Sequence, residues 1–555
     1  MSGSRSVRSG NNRKGIDTMS NFKTTHRRKP VGALALALCL VSVPAALRCE
    51  EAGVAGETAS TSSVLVQGVD ANALAAAVEA VGGEVTHELG IIDAVAANLS
   101  VSQRGALESS GIVARIYDNH TVETAARKVK TRDEPEIVRE PRYPPLMGAE
   151  LLHKEGHTGY GATIAVLDTG FFAHKATLRN SLADVRLLAQ YDAIKGLLVN
   201  KRHTNESSDN NGHGGHVAGV ALNSERDSET GMYRGLAPDA DLVAVKAFDA
   251  SGKGTYADVI RGIDWVVANQ ARFGIRVLNL SFSAPPRSYY WDDPLNQAVM
   301  AAWQAGIVVV ASAGNGGPDA MTIGVPGNIP YVITVGAMTD NYTPYELTDD
   351  RLTYFSSAGP TVEGFVKPDL IAPGGHILSV MDGATTIARE HPEFHDSRYY
   401  FTMSGTSQAA AIVSGMAALL LETSPGLTPD DVKCRLMMTA RPSVDKEGNL
   451  AVSVFQQGAG LVDAYDAAYS RASGCANQGL DIEKDLMGIE HYAGLARQAE
   501  DGSYYIEGLD GFAWGDGFAW GDGFAWGDGF AWGDGFAWGD GLMEPMSINT
   551  WVEQE

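Results

Sequence analysis

Cysteine is scarce in this chain, four among 555 residues, which excludes a scaffold held together by disulfides. Basic side chains are in the minority. Lys and Arg number 43 against 67 Asp and Glu, and the formal net charge of -24 excludes a nucleic-acid binder, whose phosphate contacts need clustered cations. Long apolar runs are few. The run VGALALALCLVSVPAAL at 31–47 falls short of the roughly 20 residues needed to span a bilayer, and no other approaches it, so no stable membrane span is expected. Apolar residues as a class are plentiful: 44% of the chain, ample for a large core and too many for a disordered protein. The length predicts several domains.

The charge is unevenly placed. Residues 1–30 carry a net +7, which leaves -31 on the remainder. Arg27, Arg28 and Lys29 precede the apolar run, and small residues at Val43 and Ala45 permit cleavage after Ala45. This is the layout of an export signal, residues 1–45, with Met19 as an alternative start. The mature protein is expected to be secreted or extracytoplasmic. Residues 46–63 read as a linker.

Residues 64–118 form a small α+β pattern. VLVQGV, EVTHEL, IDAVAANL and IVARIYD have strand character, and 71–81 and 101–110 have helical spacing. The order β-α-β-β-α-β is that of a ferredoxin-like module. Residues 119–144, largely charged, read as a connector. From residue 145 to 475 the pattern changes to short apolar runs, IAVLDTG, LVAVKAF, VLNLSF, IVVVASAG and VITVGA, alternating with helical stretches. Such runs suit strands buried on both faces and predict an α/β fold with a parallel sheet. Its site should lie at the C-terminal ends of the strands. Residues 476–510 read as a second linker, 511–541 hold five GFAWGD repeats closed by Gly541, and 542–555 form a C-terminal segment.

Asp168 ends a buried strand in AVLDTG, His213 lies in NGHGGHVAG, and Ser407 lies in SGTSQAAAIVSG at the start of an Ala-rich helix. A serine hydroxyl becomes a useful nucleophile only beside a base, and the base needs a carboxylate to fix its tautomer. Asn315, in VVVASAGNGGP, carries an amide that can donate to a developing oxyanion. Each residue alone also fits a structural part: helix cap, buried histidine or turn. All four in one order on one α/β pattern point to catalysis. A lipase-like hydrolase would instead show Gly-x-Ser-x-Gly and the order Ser, Asp, His.

At these motifs the sequence resembles the subtilase family of serine proteases. AVLDTG, GHGGHVAG and GTSQAAAIVSG resemble its aspartate, histidine and serine motifs, ASAGN its oxyanion segment, and YFSSAGP and KPDLIAPGG further family blocks. The resemblance implies a serine endopeptidase acting on protein or peptide substrates: Ser407 as nucleophile, His213 as base, Asp168 as its orienting carboxylate and Asn315 in the oxyanion hole. It implies that Gly252, Gly254, Ser281, Phe282 and Ser283 pair with an extended substrate, and that Ala311 to Gly314, Ala313 included, line the pocket before the cut bond. It further implies that residues 64–118 are a propeptide that chaperones folding and then inhibits, with self-cleavage in 119–130. No cofactor is needed for the chemistry; family members often bind structural calcium, for which no ligand here is assigned.

Gly215 stands where the family has Thr, Gln408 where it has Met, and Ala411 where it has Pro. The first puts the rigidity of the loop in question, and Phe282 is expected to narrow the substrate groove. Cys39 leaves with the leader, and Cys434 and Cys475 are the candidate disulfide in an oxidising compartment. The repeat tail alternates Phe and Trp with Ala; a mobile low-complexity segment and an adhesive one both fit it, and its partner is not identified by the sequence.

Overall fold

The computed structural model describes residues 60–124, 143–199, 205–343, 350–444 and 449–508. The expected export signal, residues 125–142 of the expected maturation region and the repeat tail lie outside the described residues.

The N-terminal unit runs β1 (Thr61–Gly68), α1 (Ala71–Ala80), β2 (Glu84–Leu89), β3 (Ala94–Ser100), α2 (Val101–Glu108) and β4 (Val113–Asp118). Asp70 caps α1 and a Ser100–Gln103 capping box opens α2. The four strands form one antiparallel sheet in the order β2-β3-β1-β4. Alternation along β1 divides its side chains. Val64 and Val66 join Leu74, Val78 and Leu107 in a core of the unit's own, whereas Leu65 joins the large core of the rest of the chain. The sheet is thus buried on both faces, its helices on one side and the larger body on the other.

A short strand follows, β5 (Thr121–Thr124). The body is then built on β6 (Thr163–Asp168), β7 (Leu187–Asp192), β8 (Leu197–Leu198), β9 (Asp241–Lys246), β10 (Lys253–Thr255), β11 (Ile275–Leu280), β12 (Phe282–Ser283), β13 (Val308–Ser312), β14 (Ile333–Thr339), β15 (Arg351–Leu352) and β16 (Leu370–Pro373). The central sheet has the order β15-β14-β13-β11-β6-β9-β7-β8, with β16 also paired to β14. Its core pairings are parallel, as the apolar runs predict, but it is a mixed sheet. β8 on β7 and β15 on β14 are antiparallel, and both are two-residue strands too short for any sequence period to show.

Four longer helices position the site: α3 (His213–Leu222), α4 (Tyr256–Ala268), α5 (Pro294–Gln304) and α6 (Thr406–Thr423). From Thr406 to Leu421 every residue of α6 is buried. A helix apolar on all sides belongs in the centre of a large core, and its small residues allow close approach. At Gly415 even a Cβ would come within 2.5 Å of Leu236. The helix packs on β11, β13, β14 and α3.

The stretch 476–510 differs from its reading as a linker. Its described part carries a short helix, Ile482–Leu486, and a hairpin of two strands, Ala496–Gln498 on Tyr504–Ile506. Buried Asp485 and Tyr492 hold it against the body, through aromatic partners far away in sequence. A disulfide joins Cys434 to Cys475, with Cα atoms 5.2 Å apart. Closing that 41-residue interval restricts the unfolded chain by about 4 kcal/mol in the chain-entropy account. Among the described residues no helix is long and apolar enough to cross a membrane.

Candidate active site

Strand order places the chemistry. β13, β11, β6 and β9 are neighbours, so the C-terminal ends of three of them bring Asn315, Ser281 and Asp168 to one edge of the sheet. Asp168 is the last residue of the wholly buried β6. His213 opens α3 after Gly212, whose φ of 111° is a conformation suited to glycine. Nδ1 of His213 lies 2.8 and 2.9 Å from the two oxygens of Asp168, and both residues are buried. An ionised carboxylate only accepts, so the proton sits on Nδ1 and Nε2 carries the lone pair. Among the described residues that Nε2 has no hydrogen-bond partner.

The second histidine of the motif, three residues on, is different. Burial pushes His216 down to about 3, and its Nε2 rests on the carbonyls of Phe401 and Ile377 at 3.0 and 3.2 Å. It is a neutral packing residue.

Asp209 belongs to the site although its sequence context predicts a turn. Its buried carboxylate accepts from the Thr169 hydroxyl at 2.9 Å and from the backbone N–H groups of Asn211, Gly212 and Gly215 at 3.0, 2.9 and 2.7 Å. It therefore ties the residue after Asp168 to the first turn of the His213 helix, where a negative group also meets the helix dipole. The same contact accounts for Gly215. A Cβ there would lie 2.8 Å from that of Phe172 and 3.2 Å from Asp209 Oδ2. The only trace of Asp209's role in the sequence is an acid four positions ahead of the histidine, and that reads as a turn.

Ser407 lies in the first turn of α6, fully buried. Its Oγ donates to the carbonyl of Ser281 at 3.0 Å, and the Ser281 hydroxyl donates back to the Ser407 carbonyl at 2.9 Å. Asn279 Nδ2 donates to Ser281 Oγ at 2.8 Å, and Ser414 Oγ donates to Asn279 Oδ1 at 2.9 Å. This buried chain fastens the end of β11 to the serine helix. Asn279 and Ser414 were not singled out by sequence, because a polar residue inside an apolar run carries no motif. Asn315 Oδ1 accepts from the N–H and hydroxyl of Thr406 at 2.9 and 2.8 Å, which fixes the amide's orientation. Its Nδ2 lies beside Gly405, where an added Cβ would come within 3.3 Å.

The residues expected to pair with substrate are on two strands with a third between them. β5 lies antiparallel to both β10 and β12. Glu123, Val122 and Thr121 face Lys253, Gly254 and Thr255; on the other side Thr124 faces Phe282 and Glu123 faces Ser283. Gly252 lies outside this register: at φ 78° it turns the chain ahead of β10. Phe282 does not stand as a bar across the groove. Alternation sends it to the opposite face from Ser281 and Ser283, and its wholly buried ring packs on Phe248 at 5.2 Å. Ala313 is buried, bonded through its N–H to Val335, and Gly314 at φ 108° lies where a Cβ would meet the hydroxyls of Ser357 and Ser283 at 2.9 and 3.0 Å.

For structural calcium, the described residues contain no group of three or more His, Cys, Asp or Glu side chains able to hold a metal. One buried cage of carbonyls is filled by the chain's own cation. Arg186 donates to the carbonyls of Arg179, Leu222, Pro238 and Ala240.

The subtilase family profile matches residues 159–460. Over 312 residues the chain is 40% identical to serine protease AprX of Bacillus subtilis (strain 168), covering 55% of this chain and 66% of AprX. It is 33% identical over 326 residues to subtilisin DY of Bacillus licheniformis, covering 58% of this chain and 97% of that protein. Among solved structures, fervidolysin from Fervidobacterium pennivorans, a keratinolytic enzyme related to subtilisin, shares the fold with a TM-score of 0.57 at 24% identity, over 76% of this chain and 62% of that one. The chain thus spans just under two thirds of the length of AprX and of fervidolysin. The profile runs from ahead of Asp168 to beyond Ser407 and takes in more than half of the sequence, and on that extent the chain belongs to the subtilase family.

Proposed function

We propose that the protein is an exported serine endopeptidase made as a self-processing zymogen. The observation that carries this reading is the strand Thr121–Thr124 lying between β10 and β12, in the manner of an extended peptide, directly after the N-terminal unit. That unit, with its β-α-β-β-α-β order, is the ferredoxin-like propeptide of the proposal, and residues 121–124 are its inhibitory C-terminal arm.

In the proposed reaction, Ser407 Oγ turns from the Ser281 carbonyl toward His213. Nε2 of His213 takes the hydroxyl proton as Oγ attacks the scissile carbonyl. Asp168 holds the imidazole and stabilises the imidazolium that forms. Asn315 Nδ2 and the Ser407 N–H donate to the oxyanion. The proton then passes to the leaving amine, the C–N bond breaks, and water hydrolyses the acyl-enzyme by the same steps. Thr124 pairs with Phe282, the neighbour of Ser281, whose carbonyl holds the nucleophile of the proposal. Maturation is therefore assigned just beyond Thr124, inside the window 119–130. The Cys434–Cys475 disulfide supports an oxidising compartment and hence export.

Expression of the wild-type chain and of Ser407→Ala, followed by N-terminal sequencing, tests the whole reading. The wild type should lose residues up to the start of the segment beyond Thr124, and the variant should keep them once the leader is removed. Equal trimming of both, or an active wild type that still begins before residue 110, overturns it.

A further inference from the structure

One short loop, Tyr289 to Asp293, is gripped from two sides. It leads into α5, which Asp293 caps through the N–H groups of Leu295 and Asn296 at 2.9 and 3.0 Å. From the N-terminal unit, Arg115 forms an ion pair with Asp292. Gln67 donates to Gln297 at 2.8 Å, and Gln297 donates in turn to the carbonyl of Trp291 at 2.8 Å. Tyr117 braces Gln67 from behind at 3.2 Å.

The C-terminal segment holds the other side of the same residues. The Tyr290 hydroxyl donates to Asp485 at 2.6 Å, Tyr331 donates to that carboxylate at 3.0 Å, and His491 Nδ1 meets its other oxygen at 2.7 Å. The His491 ring stacks on Trp291 with centroids 4.8 Å apart and planes 9° from parallel. The backbone N–H of Tyr492 donates to the Tyr290 hydroxyl at 3.3 Å. Farther along, Gly494 donates to the Glu363 carbonyl at 2.9 Å, while the Glu363 side chain accepts from the Tyr290 N–H at 2.7 Å. Trp291 is the meeting point: its carbonyl is held through Gln297 to the N-terminal unit, its ring by His491.

We infer that residues 480–506 act as a strap that tightens the hold of the N-terminal unit on the protease body, through the shared loop 289–293. The inference rests on the propeptide reading and adds its regulation. Ordering a loop costs conformational entropy, and a partner that has already met that cost leaves less for the next. Strap and propeptide therefore favour each other, and the coupling is reciprocal. A protease that loses the strap releases its propeptide sooner.

The test is hydrogen exchange on the intact Ser407→Ala chain, where no cleavage intervenes. His491→Ala should speed exchange about fivefold or more in residues 84–92 and 113–118, which it does not touch. Arg115→Ala, an exposed change, should speed exchange in 480–506 by a comparable factor. Undiminished protection of β11 in both variants reports an intact body. If each variant alters its own segment and leaves the other within twofold, the coupling is overturned. Failure of the propeptide reading would appear separately, as a wild-type chain that does not process itself.

Discussion

Asp168 and His213 meet through a buried, charge-assisted contact at 2.8 Å, whereas Ser407 is held by a pair of neutral hydroxyl–carbonyl bonds at 3.0 and 2.9 Å. The first half of the site is locked further by the four bonds of Asp209. Hydrogen bonds to charged groups are worth roughly twice neutral ones. In the proposed mechanism the carboxylate and base are thus built in advance, and the nucleophile rests on contacts weak enough to exchange for the base and substrate. The proposed order of events follows from this difference.

The sharpest way to break the comparison is to remove the nucleophile. Ser407→Ala should lower turnover at least about 10⁴-fold and leave the Asp168–His213 pair in place, checked by peptide hydrolysis and by the histidine proton resonance. The second histidine of the motif, His216, should show itself in the pH dependence of stability. His216 is depressed to about 3, below its ordinary value, so its stability contribution is full above about pH 6.5 and is lost as pH falls toward 3. Urea titrations should show about one proton less uptake on acid unfolding in His216→Gln, a change on the order of 5 kcal/mol across that window. Asn315→Ala should cost about 10²–10³-fold in kcat with little change in KM. Asp209→Asn should cost about 10–100-fold in kcat/KM, by misplacing His213, and should slow fluorophosphonate labelling of Ser407 in proportion. Ser281→Ala removes two neutral bonds on the serine's side, to the Ser407 carbonyl and from Asn279, and should cost about fivefold or less in kcat. Were Ser281→Ala to hurt more than Asp209→Asn, the contrast between the halves would fall.

Much of this site is legible in the amino-acid sequence. The runs IAVLDTG, VLNLSF and IVVVASAG form adjacent parallel strands, and glycines around His213, Asn315 and Ser407 mark where the backbone turns sharply. Asp209 is not legible, because an acid before two asparagines looks like any solvated turn until Thr169 and Gly215 are brought to it. Segment 476–510 looks like a linker because its few anchoring residues, buried Asp485 and Tyr492 and half-buried His491 among them, follow no helical or strand period. Asp485 and His491 bind as individual side chains to Tyr290, Tyr331 and Trp291, and Tyr492 donates its backbone N–H to Tyr290. Gly252 and Phe282 are placed by motif position, which does not report strand register or the face a side chain takes.

Sequence by itself determined the order Asp168, His213, Asn315, Ser407 and the α/β alternation that carries it, because turns and buried strands impose local composition. Which of two histidines meets the aspartate, what holds the serine, and that residues 121–124 lie between two distant strands were decided only in three dimensions. Those choices depend on hydrogen bonds between groups 40 or more residues apart, and no local period of the chain encodes such distances.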